Sequence, residues 1–185
     1  MPNTVVVYKS KYGSTKKYAE WIAEALQADL FEASGVNADN LLKYDTVIYG
    51  GGLYAGGIIG VSLIRKAFDR LRDKKLVLFT VGLADPKNTE QFLPILNKNL
   101  TEEMQKAVRI FHFRGSIDYA KISPVYRAAM KFMKSRVEKK DEKDKNDEDR
   151  AFLETFGKSV DFTDQASIAP LVDYCRNCSV GHLAD

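Results

Sequence analysis

Three hydroxyls, a glycine and a lysine gather at Ser10-Lys11-Tyr12-Gly13-Ser14-Thr15, directly after an apolar run and directly before a segment of helical spacing. Hydroxyls and backbone N–H groups at a helix start, with a glycine to permit a tight turn, make a cradle for an anion such as phosphate. Capping of the helix by Ser14 accounts for the same residues, and the motif alone leaves the two readings level. Two other phosphate loops are excluded: no G-x-G-x-x-G follows this run and no G-x-x-x-x-G-K-[ST] occurs, which argues against a dinucleotide and a nucleotide triphosphatase.

Two more loops of small residues end apolar runs. Gly50-Gly51-Gly52-Leu53-Tyr54-Ala55-Gly56-Gly57 lets backbone approach a flat ligand closely, with Leu53 and Tyr54 as faces for a ring. A flexible loop with an incidental tyrosine is the plainer alternative. Thr80-Val81-Gly82-Leu83-Ala84-Asp85-Pro86 is again short side chains around a glycine. Three such loops at adjacent strand ends suit one ligand with a phosphate at one end and an apolar plane at the other.

The elements that must position these loops follow from hydrophobic period. Residues 4–8, 29–33, 45–50, 75–81 and 108–113 read as strands, the first a continuous β-branched run expected of a strand buried on both faces. Between them, 14–27, 61–71 and 90–105 have helical spacing, the last interrupted near 97–101. Such alternation predicts right-handed crossovers and a parallel sheet covered on both sides, with ligands beyond the carboxyl ends of the strands. After the fifth strand the rhythm breaks. Residues 123–139 are helical in pattern, the charged run 139–150 reads as solvated or disordered, and Asp161-Phe162-Thr163-Asp164 starts a last helix through Ile168, Leu171, Val172 and Tyr174.

The chain of 185 residues, 45% hydrophobic, suits one domain with a sizeable core. Its 28 basic and 25 acidic residues leave a net charge of +3, too weak to argue for nucleic acid. With no run long enough to span a bilayer, no signal-peptide pattern and two cysteines, the expected location is the cytoplasm.

Taken together, the chain resembles the flavodoxin-like FMN proteins. Their phosphate loop, [ST]-x-[ST]-G-x-T, is matched by Ser10, Gly13 and Thr15, with Tyr12 departing from the expected hydroxyl. Within that family it looks most like the bacterial flavodoxin-like protoporphyrinogen IX dehydrogenases, in which an insertion precedes the last helix. Arg114-Gly115-Ser116-Ile117-Asp118-Tyr119, the aromatic and basic Tyr126-Arg127 and Lys131-Phe132-Met133-Lys134, and Val160-Asp161-Phe162-Thr163-Asp164 carry that likeness. The resemblance implies an α/β three-layer sandwich with a five-stranded parallel sheet in the order 2-1-3-4-5, one domain over 1–185, and an insertion at about 119–150. It further implies that Ser10, Lys11, Tyr12, Gly13, Ser14 and Thr15 hold the FMN phosphate. Gly52, Leu53, Tyr54, Ala55 and Gly56 would flank the isoalloxazine, and Val81, Gly82, Leu83, Ala84 and Asp85 would close its other side. Asp85, if near the ring, would disfavour a negatively charged reduced flavin.

The implied activity is oxidation of protoporphyrinogen, or a similarly flat hydrophobic substrate, with a quinone-type acceptor. The flavin does the redox chemistry, so no acid–base pair is required of the protein. The alternatives are a flavodoxin-type carrier shuttling electrons between redox proteins, and a flavin-free binding module of the same fold. The mildly basic charge speaks against the carrier, since typical flavodoxins are strongly acidic. Two same-fold rivals lack their essential residues: no paired aspartates follow the first strand, as a receiver domain requires, and no cysteine opens the first loop, as a low-molecular-weight phosphatase requires.

Three signals stay outside this scheme. The basic amphipathic segment 123–139 fits an anionic membrane surface, although a packed helix with a solvated basic side is the simpler account. Cys175-Arg176-Asn177-Cys178, with His182 beyond, lacks a fourth zinc ligand and sits at a helix end that disfavours a thiolate, so two ordinary thiols are expected. His112, inside a strand, is expected to be a satisfied sheet residue rather than a base.

Overall fold

In the computed structural model, which describes residues 3–177 except Asn88, strands and helices alternate as the periodicity requires. In chain order the elements are β1 (Thr4–Lys9), α1 (Ser14–Leu26), β2 (Asp29–Glu32), α2 (Ala38–Leu41), β3 (Thr46–Tyr54), β4 (Gly57–Ile58), α3 (Ser62–Ala67) and β5 (Lys75–Gly82). They continue with α4 (Leu93–Asn99), α5 (Glu102–Ala107), β6 (Arg109–Arg114), β7 (Ser116–Ile117), α6 (Pro124–Glu138), α7 (Asp147–Thr155), β8 (Val160–Asp161) and α8 (Ala169–Asn177).

The sheet runs β2-β1-β3-β5-β6, all parallel, which is the expected order for the five long strands. Two short pairings were not anticipated. The two-residue β4 folds back antiparallel on β3, and β7 pairs with β8 in a separate ribbon. Pairs this short carry almost no periodic signal. Register matters more for the site: Lys9 pairs with Gly51 and Gly51 with Thr80, so the loops after β1, β3 and β5 leave the sheet side by side.

Alternation along the strands divides the core. Val5, Val7, Val47, Tyr49, Leu76 and Leu78 face the layer holding α3, α4 and α5. Val6, Ile48, Val77 and Phe79 face α1 and α8, where Tyr18, Ile22, Leu26, Leu171 and Val172 pack. Gly50 belongs to this second face for a steric reason, because a Cβ there would come within 2.1 Å of the Phe79 ring. A third, smaller cluster of Ile117, Tyr119, Met130, Val137 and Phe152 lies in the excursion between β6 and α8, and Tyr12, Tyr54 and Leu83 pack against it. Three site loops are thereby tied to that excursion.

Some helices differ from the sequence reading. The expected helix over 61–71 is α3 followed by a tighter 3-10 turn at Phe68–Leu71. The expected break in 90–105 falls at Leu100 and Thr101, where Leu100 is extended and the Thr101 hydroxyl accepts from Met104 N–H to cap α5. The charged run 139–150 is exposed through Asp144, as expected of a solvated segment, but it is folded rather than disordered. After a 3-10 turn at Glu142–Asp144, Asn146 and Asp149 form a reciprocal capping box, and Phe152 anchors α7 in the third cluster.

Candidate functional site

The phosphate-type loop is built by a turn that only its glycine adopts readily. Gly13 has φ +96°, and its N–H donates to Ser10 Oγ at 3.1 Å, which turns the chain from β1 into α1. The N–H groups of the first turn have no acceptor within the helix, and they meet the positive end of its dipole. Thr15 is buried, with its hydroxyl 3.2 Å from where a Cβ on Gly52 would lie, so Gly52 lets the first two loops touch. The Ser14 hydroxyl is bonded to Ser116 of β7. It lies 2.9 Å from Ser116 Oγ and 3.2 Å from Ser116 O, and accepts from Ser116 N–H at 2.8 Å, which ties α1 to β7.

The second loop is a two-residue hairpin between β3 and β4. Ala55 and Gly56 have φ +50° and +72°, the paired left-handed conformations that match strand twist in such turns. Asn99 of α4 clamps it, accepting from Ile58 N–H at 3.0 Å and donating to Gly56 O at 3.0 Å. Tyr54 faces Lys11, whose ammonium also lies over Tyr126 and Tyr12. Tyr12 donates to Met130 Sδ at 3.5 Å, and burial together with the neighbouring tyrosines pushes its phenol up to about 12.

The third loop is held from three directions. Gly115 N–H donates to Gly82 O at 2.6 Å, and Arg114 Nε donates to Leu83 O at 3.1 Å. The Glu148 carboxylate of α7 accepts from Leu83 N–H at 2.9 Å and from Ala84 N–H at 2.8 Å. Burial pushes the Glu148 carboxyl upward, while those two N–H groups and Arg114 pull it down.

One cavity of about 360 Å³ joins all three loops. Ser10, Lys11, Tyr12, Ser14, Thr15, Gly52, Leu53, Tyr54, Ala55, Gly56, Val81, Gly82 and Leu83 line it. Gly13, Ala84 and Asp85 do not. Gly13 contributes the turn, and Ala84 is buried with its N–H on Glu148. Asp85 is exposed and accepts from Lys87 N–H at 3.0 Å within its own turn.

The excursion supplies a wall of the cleft, from residues that the sequence reading did not name as part of the site. Met130, Met133 and Val137 of α6 and Phe152 of α7 give it an apolar surface, with Arg136, Lys140 and Glu148 beside them. Lys98 of α4 adds another cation. The sequence did carry a signal for α7, since Asn146-x-x-Asp149 ahead of Phe152, Leu153 and Phe156 is a capping box before an apolar stripe. The high charge of the preceding run hid it.

Outside the cleft, His112 stacks on Phe92 with centroids 3.7 Å apart, and its Nδ1 lies 2.6 Å from Thr80 Oγ1. Burial pulls its imidazole down to about 4, so it is a neutral sheet residue. Cys175 is buried in α8, while Cys178 and His182 lie outside the described residues. Among the described residues no helix is long and apolar enough to cross a membrane.

A family model described as a flavodoxin domain matches residues 5–146. Among solved structures, the chain is similar to flavodoxin 1 from Bacillus cereus at 17% identity, covering 71% of this chain and 97% of that one with a TM-score of 0.46. It is similar to a flavodoxin from the domain Archaea at 16% identity, covering 60% and 84%, with a TM-score of 0.45. The flavodoxin of Megasphaera elsdenii matches at 17% identity over 59% and 84%, with a TM-score of 0.42. No curated protein matches the sequence.

Proposed function

Because the chain belongs to the flavodoxin domain family, we propose that it holds FMN in this cleft and works as an oxidoreductase. The carrying observation is that a single cavity joins the start of α1, the Tyr54 hairpin, the Leu83 loop and the apolar wall of α6 and α7. FMN bound there would supply the hydride and electron chemistry. On this reading Ser10 and the first N–H groups of α1 bind the phosphate, with Lys11 as its counter-charge. Leu53 and Tyr54 offer the ring a face, and the chain acts as one flavodoxin-like domain with residues about 119–150 as an addition to it.

The substrate we infer is flat and hydrophobic, protoporphyrinogen or a molecule like it, with a quinone-type acceptor. Met130, Met133, Val137 and Phe152 provide an apolar surface that excludes water, and Arg136 matches an anionic substituent, while Lys140 is paired with Asp149. A carrier between redox proteins needs the ring edge open to a docking partner, and the α6–α7 wall favours the enzyme. We place the protein in the cytoplasm, with α6 resting on an anionic membrane surface. Val125 and Phe132 are 77% and 67% exposed on that helix, with Arg127 and Lys131 beside them.

The test is reconstitution. Protein supplemented with FMN should retain flavin absorbance through gel filtration, be reduced in a single two-electron step, and oxidise protoporphyrinogen when a quinone is present. Flavin retention without turnover on any quinone tried would remove the substrate reading; two resolved one-electron steps would favour the carrier. Protein that takes up no flavin would leave only the binding module. Co-sedimentation with anionic vesicles, lost in Phe132→Asp, checks the membrane contact separately.

A further inference from the structure

The donors at the third loop already have an acceptor, and it comes from a distant part of the chain. Glu148 Oε1 lies 2.9 Å from Leu83 N, and Oε2 lies 3.2 Å from Leu83 N and 2.8 Å from Ala84 N. The arrangement is built rather than incidental. Gly82 leaves room for it, since a Cβ there would come within 2.9 and 3.0 Å of the two carboxylate oxygens. Arg114 holds the carbonyl of Leu83 from the other side. Glu148 and Leu83 both line the cleft, so the Leu83 donor stands at the edge of the space a planar ligand would fill, and the buried Ala84 N–H next to it in the chain shares the same carboxylate.

A carboxylate and the carbonyl edge of a planar heterocycle are chemically alike at this point, each presenting in-plane acceptor oxygens to N–H donors. One N–H cannot serve both at full strength. We propose that Glu148 and the carbonyl edge of a planar ligand compete for the N–H groups of Leu83 and Ala84, so that seating the ring releases α7 from this loop. The inference rests on the FMN reading above, which supplies the ligand. Release of Glu148 leaves α7 attached, because Phe152 is anchored among Met130 and Val137 and the capping box of Asn146 lies within α7 itself. The helix loses its tie to the loop while Phe152 keeps it docked. A freed carboxylate regains water, which offsets part of the lost hydrogen bonds, since burial already disfavours its charged form.

The experiment uses the full chain with FMN itself as probe. Flavin fluorescence titrations would compare wild type with Glu148→Ala and Glu148→Gln, and hydrogen exchange would follow residues 146–155 with and without FMN. Removing a charge-assisted competitor is expected to tighten FMN binding about tenfold in Glu148→Ala and by less in Glu148→Gln. Amide exchange in α7 of the wild type should rise when FMN binds. Equal or weaker binding by a folded Glu148→Ala, or protection of α7 by FMN, overturns the competition and leaves the cofactor reading intact. If all three proteins keep their circular dichroism and none binds FMN, both readings fall together. Should Glu148→Ala not fold, Glu148→Gln and the wild-type exchange decide.

Discussion

The ammonium of Lys11 lies 3.4 Å from the centroid of the Tyr54 ring, with the rings of Tyr126 and Tyr12 at 4.6 and 5.6 Å. A residue of the phosphate-type loop thus rests on the aromatic face that the ring-binding loop presents. The two ends of the proposed ligand make opposite demands on it. A phosphate draws the ammonium toward the start of α1, whereas a ring stacked on Tyr54 has to displace it.

Lys11→Met separates those demands. The variant should bind FMN about tenfold more weakly through loss of a charge-assisted contact, and bind riboflavin, which lacks the phosphate, at least as well as wild type. Parallel fluorescence titrations with the two flavins read the ratio. Equal weakening for both would mean that Lys11 contacts the ring or holds the loop together, and does not serve the phosphate.

Ser14 looks like a ligand in the sequence and behaves as a fastener in the structure. Its hydroxyl is within hydrogen-bonding distance of the N–H, carbonyl and hydroxyl of Ser116. Ser14→Ala should cost about 1 kcal/mol of stability, because it leaves a partly buried N–H of β7 without that acceptor. FMN affinity should stay within about threefold, since the backbone N–H of residue 14 remains in place. Chemical denaturation and flavin titration on one preparation give both values. A large loss of affinity with unchanged stability would return the hydroxyl to the phosphate.

The contrast between Ser14 and Glu148 shows where reading the sequence succeeds and where it stops. The strands and the three loops were legible because buried parallel strands write long apolar runs, and the loops must follow them at the carboxyl edge; the strand order came from the family resemblance. Which atoms face the cleft was not legible, because it depends on contacts distant in sequence. Ser14 bonds Ser116, over a hundred residues away in sequence, and Asp85 accepts from Lys87 N–H. Glu148 sits in a segment whose composition reads as solvent-exposed, yet the capping box and Phe152 fold it against the cleft. Local composition measures average polarity, while a single well-placed aromatic decides whether a polar helix docks.

The hairpin at Ala55 and Gly56 stores a small strain. Ala55 holds φ +50°, a left-handed conformation that an L-residue with a Cβ adopts at a cost. Ala55→Gly should raise stability by about 0.5–1 kcal/mol, because relief of that strain exceeds the added freedom of the unfolded chain. Gly50→Ala, five residues before Ala55, should act oppositely and cost about 3 kcal/mol, since the new methyl group meets the buried Phe79 ring. Denaturant midpoints for the two variants test the pair. Stabilisation by both would show that the sheet relaxes around position 50.

His112 makes the fold sensitive to acid in a definite window. Its imidazole is buried against Phe92 and bonded to Thr80, and burial pulls it from 6.5 down to about 4. Above pH 6.5 both folded and unfolded chains carry it neutral, so it contributes no pH dependence. As the pH falls from 6.5 toward 4 the unfolded chain takes up a proton that the folded chain refuses, and folded stability declines. Below about 4 both states are protonated and this loss is complete. Allowing for the partial exposure of the ring, the loss should total about 2 kcal/mol. His112→Gln removes the titration, so the stability difference between wild type and variant should shrink by most of that amount between pH 7 and pH 4.5, whatever the variant costs at neutral pH. Parallel denaturation curves at the two pH values measure this difference directly. An unchanged difference would mean that the folded chain protonates His112 as readily as the unfolded one, by opening the contact between β6 and Phe92.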